Sequence, residues 1–119
     1  MFDLRGSFFR SWLSKVFGMN DQSSTELWPS DALIVDVRSP GEFQSGHVDG
    51  AINLPLSELA ALAPNRLPDK KQSLVLYCQS GMRSGSAQQW LQANGYQNLI
   101  NGRSASAVAF RLQRKIVRG

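Results

Sequence analysis

Two predominantly apolar runs, Ala32-Leu33-Ile34-Val35-Asp36-Val37 and Ser73-Leu74-Val75-Leu76-Tyr77, limit what this chain can fold into more than any other feature. A strand with one wet face alternates apolar and polar residues. A run of this length with no apolar/polar alternation marks a strand covered on both faces, which is the condition of a parallel sheet sandwiched between helices. The stretches between such strands must then supply the covering helices.

The rest of the chain fits that demand. Ser39-Pro40-Gly41-Glu42-Phe43 reads as a turn into a short helix with Pro near its first position. Gly46 and Gly50 bracket His47-Val48-Asp49, which reads as loop. Ala51-Ile52-Asn53-Leu54 reads as a short strand stopped by Pro55, and Ser57 as the cap of a helix to about Leu62. Pro64 to Lys71 is a polar connection. A small-residue loop, Gln79 to Gly85, leads into a helix with Ala87, Trp90 and Leu91 on one face, ending at Asn94-Gly95. Tyr96 to Ile100 reads as a fourth strand. A last helix begins near Ser104, with Ala105, Val108, Ala109, Leu112 and Ile116 inward and Arg111, Arg114 and Arg118 outward. Alternating strands and helices predict an α/β fold, a mostly parallel central sheet with helices on both faces.

At 119 residues the chain suits one domain with a self-sufficient core. A hydrophobic content of 42% against 18% charged residues excludes a disordered chain. One cysteine cannot form an internal disulfide, and one cysteine with one histidine cannot build an ordinary zinc site, so no metal is expected. The net charge of +4 is unevenly placed: residues 103–119 hold Arg103, Arg111, Arg114, Lys115 and Arg118 with no acid, while 20–102 hold five bases and eight acids. Basic residues confined to the ends do not make the footprint of a nucleic-acid reader. The last helix's basic stripe reads as a solvated face.

Residues 1–19 form a separate unit ahead of the domain expected over 20–119. Phe9, Trp12, Leu13 and Val16 recur at helical spacing, and Gly18 is a natural stop, so 1–18 read as an amphipathic helix. Its stripe either packs on the same domain or makes a peripheral membrane or partner contact. Charges interrupt the apolar residues of this segment, unlike a secretory signal, and no apolar run reaches the length of a membrane span. The expected location is the cytoplasm.

Cys78 ends the second apolar run, and in sheets of this class ligands sit beyond the carboxyl ends of the strands. The loop Cys78-Gln79-Ser80-Gly81-Met82-Arg83-Ser84 then opens a helix. Glycine and serine let the loop curl so that successive N–H groups face one anion-sized hollow, and the helix start adds its unpaired donors. A thiol there has a lowered pKa and gives an accessible thiolate. A cysteine that is only a small buried hydrophobe gains nothing from this loop.

Three separated stretches resemble the rhodanese family: Leu33 to Arg38 with Glu42-Phe43, Gly46 to Pro55, and Tyr77 to Ser84. The resemblance runs in order over about residues 25–118. It implies a sulfurtransferase that moves sulfane sulfur from a small donor, thiosulfate or a persulfide, to a thiol or protein-cysteine acceptor through a Cys78 persulfide. Neither metal nor organic cofactor is implied. By that resemblance Gln79, Ser80, Gly81, Met82, Arg83 and Ser84 bind the substrate, with Arg83 holding an anionic donor and Met82 offering an apolar rim. Asp36, Arg38, Glu42 and His47 would support the site: Asp36 and Arg38 could act on substrate but read first as structural, with an ion pair or cap joining Arg38 to Glu42, and His47 resembles a family residue that fixes loop geometry by hydrogen bonding. Related cysteine phosphatases place five residues between cysteine and arginine; here four separate Cys78 from Arg83, which favours sulfur over phosphate. The alternative is a rhodanese-like binding or regulatory module with little turnover. One departure stands out: where the family commonly carries Gly-Gly and an aromatic after the fourth strand, this chain has Asn101-Gly102-Arg103-Ser104, with Asn101 expected to take the left-handed conformation of the first glycine.

Overall fold

The structure, a computed structural model, describes residues 28–119. The helix expected over residues 1–19, its membrane or partner contact and the link that follows lie outside the described residues.

The two apolar-rich runs become the two central strands, β1 (Leu33–Asp36) and β4 (Leu74–Cys78), paired in parallel from Leu33↔Leu74 to Asp36↔Tyr77. The edges are β3 (Ile52–Asn53) beside β1 and β5 (Leu99–Ser104) beside β4, giving the parallel order β3-β1-β4-β5. One face carries Val35, Leu74, Leu76 and Cys78 against α2 (Leu59–Arg66) and α3 (Met82–Ala93), through Leu59, Ala63, Ala87 and Leu91. The opposite face carries Ile34, Val75 and Tyr77 against α4 (Ala105–Leu112), through Val108 and Ala109. Successive residues of β4 thus serve opposite faces, and every residue of that strand is buried. Truncating Leu91, which is fully buried, to alanine would cost about 2–5 kcal/mol.

The short helix α1 (Pro40–Ser45) forms where expected. Ser39 and Glu42 cap it reciprocally, and Pro40 opens it. Other boundaries moved. His47–Val48, expected as loop, is strand β2, paired antiparallel with β6 (Ile116–Val117). The expected last helix stops at Leu112 because Gln113 turns left-handed at φ 55, which sends Ile116 to β6 instead of the helix's inner face; it is 48% exposed. Ser57 lies within a 3-10 turn, Leu56–Glu58, and supplies no cap. Helix α2 then runs through Pro64, and Ala60, whose carbonyl loses its usual donor there, is exposed to water. Tyr96 is not in the fourth strand: it is buried, and its hydroxyl donates to the Leu67 carbonyl at 2.6 Å, tying the end of α3 to the end of α2. Trp90 is only partly buried against the core.

Strand β5 contains a bulge that bears on the site. Leu76 faces Asn101 but Tyr77 faces Arg103, so Gly102 is the extra residue. A Cβ on Gly102 would lie 2.5 Å from a Val108 methyl and 3.2 Å from the Leu76 carbonyl oxygen, so no larger residue fits. The left-handed position is Arg103, at φ 77, and not Asn101, which continues the strand. Among the described residues no helix is long and apolar enough to cross a membrane.

Candidate active site

The parallel strands all end at one edge of the sheet. Asp36 closes β1 there, Cys78 closes β4 and Ser104 closes β5. The apolar run that drives β4 through the core therefore delivers a thiol directly to this edge.

Beyond Cys78 the chain makes one tight turn. Gly81, at φ 103, is the N-cap of α3 and offers no side-chain cap, so the helix's first amides stay free to face the sulfur. Only glycine takes this backbone without strain. The Gly81 amide donates to Cys78 Sγ at 3.1 Å, and Ser84 Oγ lies 3.5 Å from the same sulfur. Burial opposes ionisation of this thiol. The Ser84 hydroxyl and the amides of Ser84, Gly81 and Ser80 outweigh it, and the pKa falls from 9.0 to about 7. Of the amides of Gln79 to Ser84, those of Gly81, Ser80 and Ser84 act on the sulfur. The expected accessibility, however, is not what the structure shows: Cys78 is buried, 1% exposed, beneath the turn. Gln79, Ser80 and Met82 form the outer surface, with Met82 80% exposed.

Arg83 and Glu42 meet across the site in a two-pronged pair, at 2.7 and 3.0 Å. The Arg83 guanidinium, together with the Ser39 amide, holds the Glu42 carboxyl down at about 2. Arg83 in turn has its pKa raised, first by Glu42 and also by the nearby charge of Cys78. Glu42 thus performs two tasks: it caps α1 and orients the arginine of the cysteine turn.

The expected Arg38–Glu42 link does not form. Residues 36 and 38 sit two apart on an extended chain and so share a face; Arg38 folds back on Asp36, with Nη2 and Nε donating to its carboxylate at 2.6 and 3.0 Å. The same Nη2 donates to the Gly46 carbonyl at 2.6 Å, and the Arg38 amide caps the other Asp36 oxygen at 2.8 Å. Asp36 is fully buried, and this pairing is what makes a charge tolerable there. His47 is buried and stacked on Phe43 with ring centres 3.6 Å apart, its Nδ1 2.8 Å from the Phe43 carbonyl. These contacts fix the turn between α1 and β2, well matched to a loop-fixing role.

One site residue escaped the sequence reading of the loop. Asn101, from β5, reaches across: its Oδ1 accepts from Ser84 Oγ at 2.7 Å and from the Arg103 amide at 3.0 Å, and its Nδ2 donates to the Gly81 carbonyl at 3.1 Å. The only signal was its place in the departure at 101–104.

Comparison with known proteins agrees with this arrangement. The thiosulfate sulfurtransferase PspE of Escherichia coli (strain K12) is 37% identical over 75 residues, 63% of this chain and 72% of that protein. The tRNA uridine(34) hydroxylase of Erwinia tasmaniensis is 33% identical over 75 residues, 60% of this chain but only 21% of that longer protein. A solved rhodanese with anions from E. coli superposes with a TM-score of 0.66 at 33% identity, over 74% of this chain and 99% of that one. The model of the Rhodanese-like domain matches residues 19–104. With the parallel sheet, the cysteine at its carboxyl edge and the amide-lined turn above it, this match means that the chain belongs to the rhodanese-like domain family.

Proposed function

We propose that the protein is a sulfurtransferase that carries sulfane sulfur on Cys78. The observation that supports this most directly is the convergence of the Gly81, Ser80 and Ser84 donors on one sulfur, whose pKa they hold at about 7. At neutral pH about half of such thiols are ionised, and no separate general base is needed.

The Cys78 thiolate attacks the outer sulfur of an anionic donor such as thiosulfate. A bond forms between Cys78 Sγ and that sulfur, the donor's sulfur–sulfur bond breaks, and sulfite leaves with the bonding pair. The product is an anionic Cys78 persulfide, held by the same amides that held the thiolate. An acceptor thiolate, from a small thiol or a protein cysteine, then attacks the outer sulfur. It departs as a persulfide, and the Cys78 thiolate is restored. Arg83, held by Glu42, lies near enough to the Cys78 sulfur for their charges to interact, and the exposed Met82 gives an apolar contact at the surface. A lone reactive thiol of this kind suits a compartment kept reducing, such as the cytoplasm.

Intact mass after incubation with thiosulfate tests this reading. The expected result is a gain of one sulfur atom that cyanide removes and that Cys78→Ser lacks. A chain that gains no sulfur at millimolar donor, from thiosulfate, mercaptopyruvate or glutathione persulfide, would be a binding module instead.

A further inference from the structure

The Ser84 hydroxyl stands between two acceptors and has one proton to give. On one side is the Asn101 carboxamide oxygen at 2.7 Å; on the other is Cys78 Sγ at 3.5 Å. Ser84 is fully buried, so no bulk water relieves the choice. The carboxamide cannot turn over to become a donor, because the Arg103 amide donates to Oδ1 at 3.0 Å and Nδ2 is spent on the Gly81 carbonyl at 3.1 Å.

We propose that Asn101 is a positioning residue that competes with the Cys78 sulfur for the Ser84 hydroxyl proton. With a protonated thiol, Ser84 donates to Asn101 and accepts from the S–H. When the thiolate or the anionic persulfide forms, the hydroxyl turns to the sulfur, and Asn101 Oδ1 retains only the Arg103 amide. No bond is made or broken in this step apart from the exchange of one hydrogen bond. Each ionisation therefore gives up the short bond to Asn101, which holds the thiol and thiolate closer in free energy than the amides alone would. This role rests on the sulfur-transfer reading above and deepens it: the residue sets how much of the resting enzyme is charged, and how readily sulfur leaves.

The other charges around the sulfur do not change when Asn101 is replaced. They are Arg83 on α3 with its partner Glu42 on α1, Asp36 and Arg38 at the end of β1, paired with each other, and Arg103 on β5. The Gly81 carbonyl also keeps a second donor, the Gly85 amide at 2.9 Å, so the turn retains its helical anchor.

The rate of Cys78 alkylation by iodoacetamide against pH tests the proposal and needs no sulfur donor, so it stands apart from the persulfide experiment. Asn101→Ala should move the inflection down by about half a unit or more, the size expected from one neutral hydrogen bond. Asn101→Leu, nearly the same shape, should do the same and serves if the alanine variant does not fold. Ser84→Ala should move the inflection up. In the Ser84→Ala background Asn101→Ala should then move it no further, which a merely structural role does not predict. An inflection at or above the parent value in both Asn101 variants overturns the proposal. So does a shift of equal size with and without the Ser84 hydroxyl.

Discussion

The ends of β1 and β4 lie side by side at the same edge of the sheet, yet their polar groups are spent in opposite ways. At the end of β1, Asp36, Arg38 and the Gly46 carbonyl satisfy one another, with contacts of 2.6 to 3.0 Å and the Asp36 carboxylate fully buried. The carboxylate's charge is matched within the network itself. At the end of β4, the Gly81, Ser80 and Ser84 donors converge on one sulfur atom, which offers no donor of comparable strength in return. A network that closes on itself holds a fold, whereas donors left pointing at one ionisable atom pre-pay the charge a reaction will place there. Both ends carry ionisable groups, but only at the second do several donors face a single atom.

Breaking the closed network should cost stability first. Asp36→Ala leaves the Arg38 guanidinium, 12% exposed, without its partner, and such half-pairs typically cost about 3 kcal/mol or more. Thermal melting should show the loss, while the Cys78 alkylation inflection of the protein still folded should move only slightly, and downward, because Arg38 is left as an unbalanced cation. A large inflection change with little melting change would mean that the β1 end belongs to the chemistry after all.

The open arrangement should register in the pH dependence of both reactivity and stability. Cys78 alkylation should be half-maximal near pH 7, where its pKa lies, and not near its ordinary value of 9.0. The folded value lies below the unfolded one, so the folded state gains where the unfolded thiol is still protonated. That contribution is full above about pH 9 and is lost as pH falls through 7, amounting to as much as about 2–3 kcal/mol. Urea melts at pH 7 and pH 9 should show it as added stability at the higher pH, and Cys78→Ser should remove the difference. An equal gain in Cys78→Ser would assign it to other groups.

The sequence made the open end easier to read than the closed one, for a physical reason. Cys78 is placed by an apolar run, and the direction of a buried strand plus a Gly/Ser turn into a helix are local properties of consecutive residues. Partner choice is not local. Glu42 pairs with Arg83, 41 residues away, and the expected pairing with Arg38 fails because Asp36 already lies on Arg38's own face. The two-residue strands β2 and β6 are too short to show a period, and they are joined only by the return of the chain after α4. Asn101 shows the same limit. A bulge at Gly102 puts the left-handed residue at Arg103 and leaves Asn101 in the strand, aimed at the cysteine turn, a register no composition reveals. Holding an arginine at φ 77 costs about 1 kcal/mol, and the bulge persists because Gly102 is wedged between Val108 and β4.

The smallest effect expected is at the Glu42–Arg83 pair, which ties α1 to the cysteine turn. Glu42 has a folded pKa of about 2 against an ordinary 4.5, because Arg83 and the Ser39 amide favour its charge. A depressed carboxyl contributes stability that is complete above about pH 4.5 and disappears as pH falls toward 2. The pair is about one-third exposed at each partner, so water screens it and the gain stays modest. Glu42→Gln should therefore melt slightly below the parent protein at pH 7, and the gap should close as pH is lowered from 4.5 toward 2. The same variant keeps the polar cap of α1 but frees Arg83, so its sulfur loading from thiosulfate should become more sensitive to added salt. A gap that stays constant across that pH range would show that Glu42 acts on the fold through shape and capping alone, with its charge, and its hold on Arg83, contributing nothing.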